Sequence, residues 1–258
     1  MPELSALDWT LLALGVVAIG FAKTAVSGTG SIAVAAFALV LPARESTGTI
    51  LPLLILGDLF AVAYYRQHTD WGLIRRLVPW VGVGIVTGAG FVAVSDDTVM
   101  RRTIGGVLLA LAVVQLVTGG GRLARLVEGS AEGDGGARAA WGHRLLAAAA
   151  GVAAGFVTMV ANAAGAVMTI YLLLSGLAML EFLGTAAWFF FLVNLAKLPF
   201  SIGLGLVAPG SLLLDLALAP LVAVGAVGGV LVVRRLDQPQ FEKAVLALAA
   251  VSAVPLLL

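Results

Sequence analysis

The chain contains no cysteine, which excludes disulfide bonds and thiolate metal sites. It has two histidines, His68 and His143, and both fall in predicted loops. The HExxH, GxSxG and phosphate-loop patterns, which carry hydrolytic or nucleotide chemistry, are also missing from the sequence. We therefore expect no enzymatic activity, no metal site and no cofactor.

Charge is scarce as well. Charged residues make up 11% of the chain and the formal net charge is +1, so nothing indicates a nucleic-acid partner. Hydrophobic residues make up 61%, more than a soluble domain of this size needs for its core. Several apolar stretches approach the roughly 20 residues that cross a bilayer as a helix. These features predict an all-α polytopic membrane protein, with the lipid bilayer as its surroundings.

The apolar stretches divide the chain into ten segments. They cover residues 9–27, 30–41, 47–65, 77–95, 103–118, 145–161, 164–178, 184–204, 212–233 and 241–258. The second and seventh are short for a crossing at about 1.5 Å per residue. Residues 119–144 are rich in glycine and charge, which predicts a flexible linker. The predicted domains are a first transmembrane repeat (1–118), a cytoplasmic linker (119–144) and a second transmembrane repeat (145–258).

The loop charges predict an orientation with both termini outside. In that orientation most Lys and Arg residues of the loops lie on the inner side, as the positive-inside rule expects. The inner loops hold Arg66, Arg75, Arg76, Arg122, Arg125, Arg138, Arg144, Arg234, Arg235 and Lys243, and the outer loops hold Arg44, Arg101 and Arg102.

The two halves repeat a pattern of residues. The stretch Gly20–Ser31 aligns with Gly155–Ala166, so that Ser27 matches Asn162 and Gly30 matches Gly165. Two further sets of residues recur, each at a constant spacing. The first set pairs Gly48 with Gly184, Thr49 with Thr185 and Asp58 with Asn194. The second set pairs Pro79 with Pro220, Gly84 with Gly225, Gly88 with Gly229 and Asp96 with Asp237. About five segments per half is an odd number, which predicts two inverted repeats as in many secondary transporters.

Polar residues interrupt the first apolar segment of each half. Lys23 lies at membrane depth, where a charge costs at least about 2.5 kcal/mol and so faces a cavity or a partner. The candidate binding residues at the two interruptions are Lys23, Ser27, Gly28, Thr29 and Gly30 in the first and Asn162 and Gly165 in the second. Glycines and polar groups here predict broken or re-entrant helices, and the N–H groups that begin each following helix favour an anion. The alternative is a glycine-rich turn whose lysine snorkels outward.

Three later residues complete the candidate site. Asp58, Asn194 and Lys197 lie within apolar segments. Two lysines and one aspartate leave one positive charge in excess, which an anionic substrate would balance. Asp58 is expected to balance a lysine or to carry a coupling proton. The alternatives are interhelical hydrogen bonding by Asp58 and Asn194, and a salt bridge from Lys197 to Asp58 or Asp215.

The longer motifs resemble a known family. They are GFAKTAVSGTGSIAV and TGTILPLLILGDLFAVAYYRQHTDW in the first half, and TMVANAAGAVMTIYLL and EFLGTAAWFFFLVNLAKLPFS in the second. They resemble the sulfite exporter TauE/SafE family, also called toluene sulfonate uptake permeases, over nearly the whole chain except the linker. The resemblance implies an inner-membrane permease with a duplicated core that moves sulfite, sulfonates or other sulfur-containing anions. We expect a secondary transporter working by alternating access, with proton coupling and a homodimer left open and an anion channel as the alternative.

Overall fold

A computed structural model describes residues 4–25, 30–118, 137–241 and 243–244 of the 258-residue chain. Among these residues the structure is helical with short connections and contains no strand. In chain order the helices are α1 (Ala6–Thr24), α2 (Gly30–Val40), α3 (Ala43–Tyr65), α4 (Trp71–Val94), α5 (Asp97–Thr118), α6 (Ala137–Ala161), α7 (Gly165–Leu174), α8 (Met179–Gly203) and α9 (Pro209–Val233).

The helices follow the apolar segments of the sequence. The first nine predicted segments coincide with α1 to α9, whereas the tenth, 241–258, lies almost entirely outside the described residues. Some helices begin earlier than predicted because polar residues form or cap the first turn. At the start of α4, for example, the Asp70 side chain accepts a hydrogen bond from the Leu73 N–H at 3.0 Å. Helix α6 begins at Ala137, so residues 137–144 of the predicted linker are helical.

Five helices of the described part, α1, α3, α4, α8 and α9, are long and apolar enough to cross a bilayer. This confirms the prediction of an all-α polytopic membrane protein. Helices α2 and α7 have 11 and 10 residues. At about 1.5 Å per residue they span roughly half of a hydrocarbon core that is about 30 Å thick.

The second predicted helix interruption is present. Helix α6 ends at Ala161 and α7 begins at Gly165. Between them Asn162 has φ 51°, which among the described residues is the one positive φ outside glycine. Asparagine tolerates this left-handed conformation better than most side chains do. The backbone therefore turns sharply at Asn162, whereas Gly165, which was predicted to belong to the interruption, is the first residue of α7.

The first interruption also separates two helices. Helix α1 ends at Thr24 and α2 begins at Gly30. Ser27, Gly28 and Thr29 lie outside the described residues. The sequence places Gly30 in the irregular part of the break, but it is already helical as the first residue of α2.

Helices α1 and α9 run parallel and meet backbone to backbone. A Cβ atom on Gly20 would lie 2.1 Å from the carbonyl oxygen of Val222. A Cβ atom on Gly225 would lie 2.0 Å from the carbonyl oxygen of Val17. Real Cβ atoms do not come so close to backbone, so both positions require glycine. Small residues allow such close helix packing in membranes.

Helices α4 and α6 form a second parallel pair of the same kind. A Cβ atom on Gly155 would lie 2.3 Å from the carbonyl oxygen of Val81, and one on Gly84 would lie 2.3 Å from that of Val152. The repeat aligns Gly20 of α1 with Gly155 of α6, and Gly84 of α4 with Gly225 of α9. Each pair thus combines one helix from each half of the chain. The contacts agree with the repeat read from the sequence, and the inverted arrangement stays a prediction.

Helices α3 and α8 cross antiparallel. Gly48 near the start of α3 packs on Leu206 beyond the end of α8, and Gly184 near the start of α8 packs on His68 beyond the end of α3. Helix α3 also contacts α1 and α9, and α8 also contacts α4. The midpoints of α3 and α8 therefore meet in the interior, where the candidate site lies.

Candidate functional site

Lys23 and Asp58 form an ion pair. Lys23 lies in the last turn of α1, and its Nζ is 2.7 Å from Oδ1 of Asp58 on α3. Gly57 lets the lysine stem cross α3, because a Cβ atom there would come 3.0 Å from Lys23 Cγ. The ammonium group also lies 4.5 Å from the centre of the Phe190 ring, a cation–π contact. Lys23 is thus held by one carboxylate and one aromatic face.

The other oxygen of Asp58 connects this pair to α8. Asn194 donates a hydrogen bond from Nδ2 to Asp58 Oδ2 at 2.6 Å. Oδ1 of the same amide accepts from Lys197 Nζ at 3.3 Å. Asn194 therefore bridges the carboxylate of one half and the lysine of the other.

Lys197 is surrounded by neutral oxygen atoms. Besides Asn194, its ammonium donates to Thr158 Oγ1 at 3.2 Å and to Asn162 Oδ1. The residue is 1% exposed. Within the described part of the chain the ion pairs are Lys23–Asp58 and Arg101–Asp97, so Lys197 has no carboxylate within ion-pair distance. It is a buried lysine without a counter-charge of its own.

The positive φ of Asn162 has a consequence for the site. Its amide nitrogen donates to the carbonyl oxygen of Thr47 near the start of α3, at 2.9 Å. That bond turns the amide oxygen toward Lys197. The break between α6 and α7 is thereby tied both to the start of α3 and to the buried lysine.

We call these six side chains the polar cluster. Its members are Lys23, Asp58, Thr158, Asn162, Asn194 and Lys197. Two of them are accessible: the Lys23 side chain is 12% exposed and Asn162 is partly buried, whereas Asp58 is fully buried. Lys23 and Asn162 therefore form the exposed side of the cluster, and its other members lie behind them.

The helix that follows the second break can add backbone donors. Ala164, which precedes α7, provides no side-chain hydrogen bond to the first turn. The N–H groups that begin at Gly165 therefore lack a side-chain cap, and such groups favour negative charge. Gly30 begins α2 in the corresponding place after the first break.

The structure brings together most of the predicted site residues that it describes. Lys23, Asp58, Asn162, Asn194 and Lys197 form one hydrogen-bonded and ion-paired chain. The alternative of a salt bridge from Lys197 to Asp58 or Asp215 is wrong for the described residues. Asp215 is buried, and neither of its carboxylate oxygens has a hydrogen-bond partner there.

Three contributors were missed from the sequence. Thr158 offers its hydroxyl to Lys197, the Thr47 carbonyl orients Asn162, and the Phe190 ring contacts Lys23. A signal for Thr158 was available, because the alignment of the two breaks places it opposite Lys23. A backbone carbonyl and an aromatic face leave no comparable mark in a sequence.

The family model "Sulfite exporter TauE/SafE" matches residues 11–256. The chain belongs to the sulfite exporter TauE/SafE family. No curated protein and no solved structure matches it.

Membership of the TauE/SafE family assigns a general role. The family transports sulfite and related sulfur anions across membranes, and the apolar helices make this member a multi-pass membrane protein. Among the described residues no three His, Cys, Asp or Glu side chains are grouped so as to hold a metal ion.

Proposed function

We propose that this chain is a secondary transporter that binds a small sulfur-containing anion at the polar cluster. The observation that carries the proposal is Lys197, a buried lysine whose hydrogen-bond partners are neutral. A buried charge that lacks a counter-charge is costly. A bound anion supplies the missing charge in the interior.

Each member of the cluster has a role in this proposal. Lys197 supplies the uncompensated positive charge, and Lys23, which is more exposed, meets the anion first. Asn162 and Asn194 provide hydrogen bonds and hold Lys197 in place. Asp58 keeps the two lysines from repelling one another by neutralising one of them. The binding set is completed by backbone donors at Gly30 and Gly165 and by Ser27, Gly28 and Thr29 of the first break.

The packing supports alternating access. Lys23 belongs to the pair formed by α1 and α9, whereas Thr158 lies on α6, which is paired with α4. Close glycine contacts favour movement of each pair as a unit, since interfaces of this kind do not deform continuously. When the two helix pairs move relative to one another, the cluster members on both pairs are displaced. The cluster is then open to one side of the membrane at a time.

Proton coupling forms a second part of the proposal. Asp58 and the lysines of the cluster can exchange protons when a negative charge arrives or leaves. Uptake of the anion into liposomes should then respond to an imposed pH gradient. If the initial rates of uptake are equal with and without the pH gradient, transport is not coupled to protons.

Reconstituted protein provides the main test, with labelled sulfite as the probe. A transporter should show saturable uptake and counterflow, in which unlabelled sulfite inside the liposome accelerates entry of label. An anion channel with the same residues would instead give a current proportional to the gradient and no counterflow. The proposed location is the cytoplasmic membrane, with residues 119–144 on the inner side.

The role of Lys197 is tested by Lys197→Met. We expect loss of at least about tenfold in sulfite affinity, since a hydrogen bond to a charged group contributes about 1.5–3 kcal/mol. The matched control is Lys243→Met, which removes an exposed lysine and should bind as the native chain does. Unchanged affinity in both Lys197→Met and Lys23→Met would exclude this site.

A further inference from the structure

We infer that Arg44 is a positioning residue for the proposed anion site, and that it acts through Thr47 on Asn162 of the polar cluster. This inference rests on the proposed function, because it concerns how the same site is held in place. It follows from a series of contacts that attach the start of α3 to the end of α4 and to the break between α6 and α7.

Arg44, the second residue of α3, is bound to the end of α4 and the start of α5. Its guanidinium Nη1 donates to the carbonyl oxygen of Val92 at 2.6 Å and also to the carbonyl oxygen of Ser95. Its backbone N–H donates to Oδ1 of Asp97 at 3.1 Å. The last carbonyl groups of a helix lack partners within that helix, and a positive charge is favourable beside them. Arg44 therefore caps α4 and fixes the start of α3 against it.

Thr47 lies three residues farther along α3 and attaches it to α6. Its hydroxyl group donates to the carbonyl oxygen of Val160, in the last turn of α6, at 3.4 Å. Its own carbonyl oxygen accepts from the Asn162 amide nitrogen at 2.9 Å. Helices α4 and α6 are themselves packed backbone to backbone. The start of α3 is thus attached to both members of one helix pair, to α4 through Arg44 and to α6 through Thr47.

The orientation of the Asn162 amide depends on this attachment. A backbone carbonyl can only accept hydrogen bonds, so the Thr47 oxygen must face the amide nitrogen and not the amide oxygen. The amide oxygen is thereby directed toward Lys197, whose Nζ donates to it. If the start of α3 shifted or rotated, the Thr47 oxygen would leave the amide, and the amide could turn its N–H groups toward Lys197. The contacts of Arg44 oppose that shift.

Arg44 is not itself a member of the polar cluster. Asp58 lies 14 residues after it on α3, which is about 21 Å along the helix at 1.5 Å per residue. Its guanidinium group is already engaged by the two carbonyl oxygens at the end of α4. The role of Arg44 is therefore to hold other residues in place, and Asn162 is the cluster member that its contacts reach.

Isothermal titration of the purified full chain with sulfite tests this role. Arg44→Met should weaken sulfite binding about fivefold, which is the size expected for the loss of one hydrogen bond. Arg102→Met is the matched control, because it removes an exposed arginine of α5, and it should bind sulfite as the native chain does.

A double variant identifies the route by which Arg44 acts. Asn162→Gly removes the amide and keeps the left-handed backbone, since glycine accepts the φ of 51° without strain. In the Asn162→Gly background, Arg44→Met should weaken sulfite binding less than about twofold, because the residue through which it acts is already absent. A change that only lowered the stability of the fold would not give this dependence.

The outcomes separate this inference from the proposed function. Equal sulfite affinity in Arg44→Met and the native chain overturns the inference and leaves the anion site standing. A full loss that recurs in the Asn162→Gly background also overturns it, because Arg44 would then act by another route. Native protein that binds no sulfite contradicts the proposed function itself.

A second variant serves if Arg44→Met does not fold. Asp97→Ala removes the acceptor of the Arg44 N–H, and the Asp97 side chain is 44% exposed, so the fold should tolerate the change. It should weaken sulfite binding at least about twofold in the native background and not in Asn162→Gly. Unchanged binding in Asp97→Ala, or an equal loss in both backgrounds, overturns the inference.

Discussion

Lys23 and Lys197 are lysines in the interior of the same membrane protein, yet they are held differently. Lys23 has a carboxylate partner at 2.7 Å and an aromatic face at 4.5 Å. Lys197 is more deeply buried, and its partners are neutral oxygens. The difference separates a lysine that is neutralised within the fold from one with neutral partners, to which the proposed function assigns the anion.

The internal repeat makes this comparison more informative. In the alignment of the two halves Asp58 corresponds to Asn194, and Lys23 corresponds to Thr158. The first half therefore places lysine and aspartate where the second half places threonine and asparagine. The close glycine contacts occur at corresponding positions in both halves. The two halves thus share their packing and differ in the charges at their centre.

The largest expected effect concerns the ion pair. Lys23→Met leaves the Asp58 carboxylate buried with one amide donor, and breaking a buried pair costs about 3–5 kcal/mol. We expect about 3 kcal/mol, the lower end of that range, because Lys197 remains one amide away. Lys197→Met should lower the free energy of unfolding by less than Lys23→Met does, because removal of an unpaired buried charge offsets the lost hydrogen bonds. Denaturant unfolding in detergent micelles measures both free energies.

A double variant sharpens this prediction. Asp58→Asn in the Lys23→Met background removes the orphaned carboxylate and should recover part of the lost stability. The comparison between the lysines would be wrong if Lys197→Met proved the more destabilising change. It would also be wrong if the double variant were less stable than Lys23→Met alone.

The second prediction tests the shared packing. Gly20→Ala and Gly155→Ala each place a Cβ atom within 2.3 Å of a backbone oxygen of the neighbouring helix. We expect each to cost about 1–3 kcal/mol, as overpacking commonly does. Gly82→Ala is the control, because no atom lies within 4 Å of its added Cβ. Thermal unfolding in the same micelles should show similar losses of stability for Gly20→Ala and Gly155→Ala and none for Gly82→Ala. A loss of stability in only one of the two glycine variants would contradict the correspondence between the two halves.

The smallest effect compares Thr185 with Thr49, its counterpart in the first half. Thr185 Oγ1 accepts a hydrogen bond from the backbone N–H of Asp70 at 2.9 Å. Thr49 Oγ1 is buried without a hydrogen-bond partner among the described residues. Thr185→Val should therefore cost about 1 kcal/mol of unfolding free energy, and Thr49→Val close to none. Equal losses for the two variants would show that the hydroxyl groups are held alike.

Much of the fold could be predicted because hydrophobicity is a local signal. Apolar runs located nine helices of the described part, and the polar residues around Asn162 marked a real interruption. The helix ends were less accurate where polar residues form the first turn, as at Ala43 and Trp71. The residues 26–29 of the first break and the tenth segment beyond residue 244 stay predictions, as do the domain boundaries and the inverted orientation.

The candidate site was predicted as a set of residues but not as a set of contacts. Charge counting identified Lys23, Asp58 and Lys197 and the one excess positive charge. It did not indicate which lysine the aspartate neutralises, and a salt bridge from Lys197 remained open. Thr158, the Thr47 carbonyl and the Phe190 ring were absent from the predicted set, because they depend on neighbours distant in sequence.

The membrane class of the protein, the position of its helices and the number of charges that the interior must accommodate can all be read from the amino-acid sequence. These properties follow from composition and from the order of residues along one dimension. The helix packing determines that Asp58 neutralises Lys23 and that Lys197 lies among neutral oxygens. The physical reason is that the glycine contacts set how closely the helices approach and how they are rotated. Those rotations determine which side chains meet.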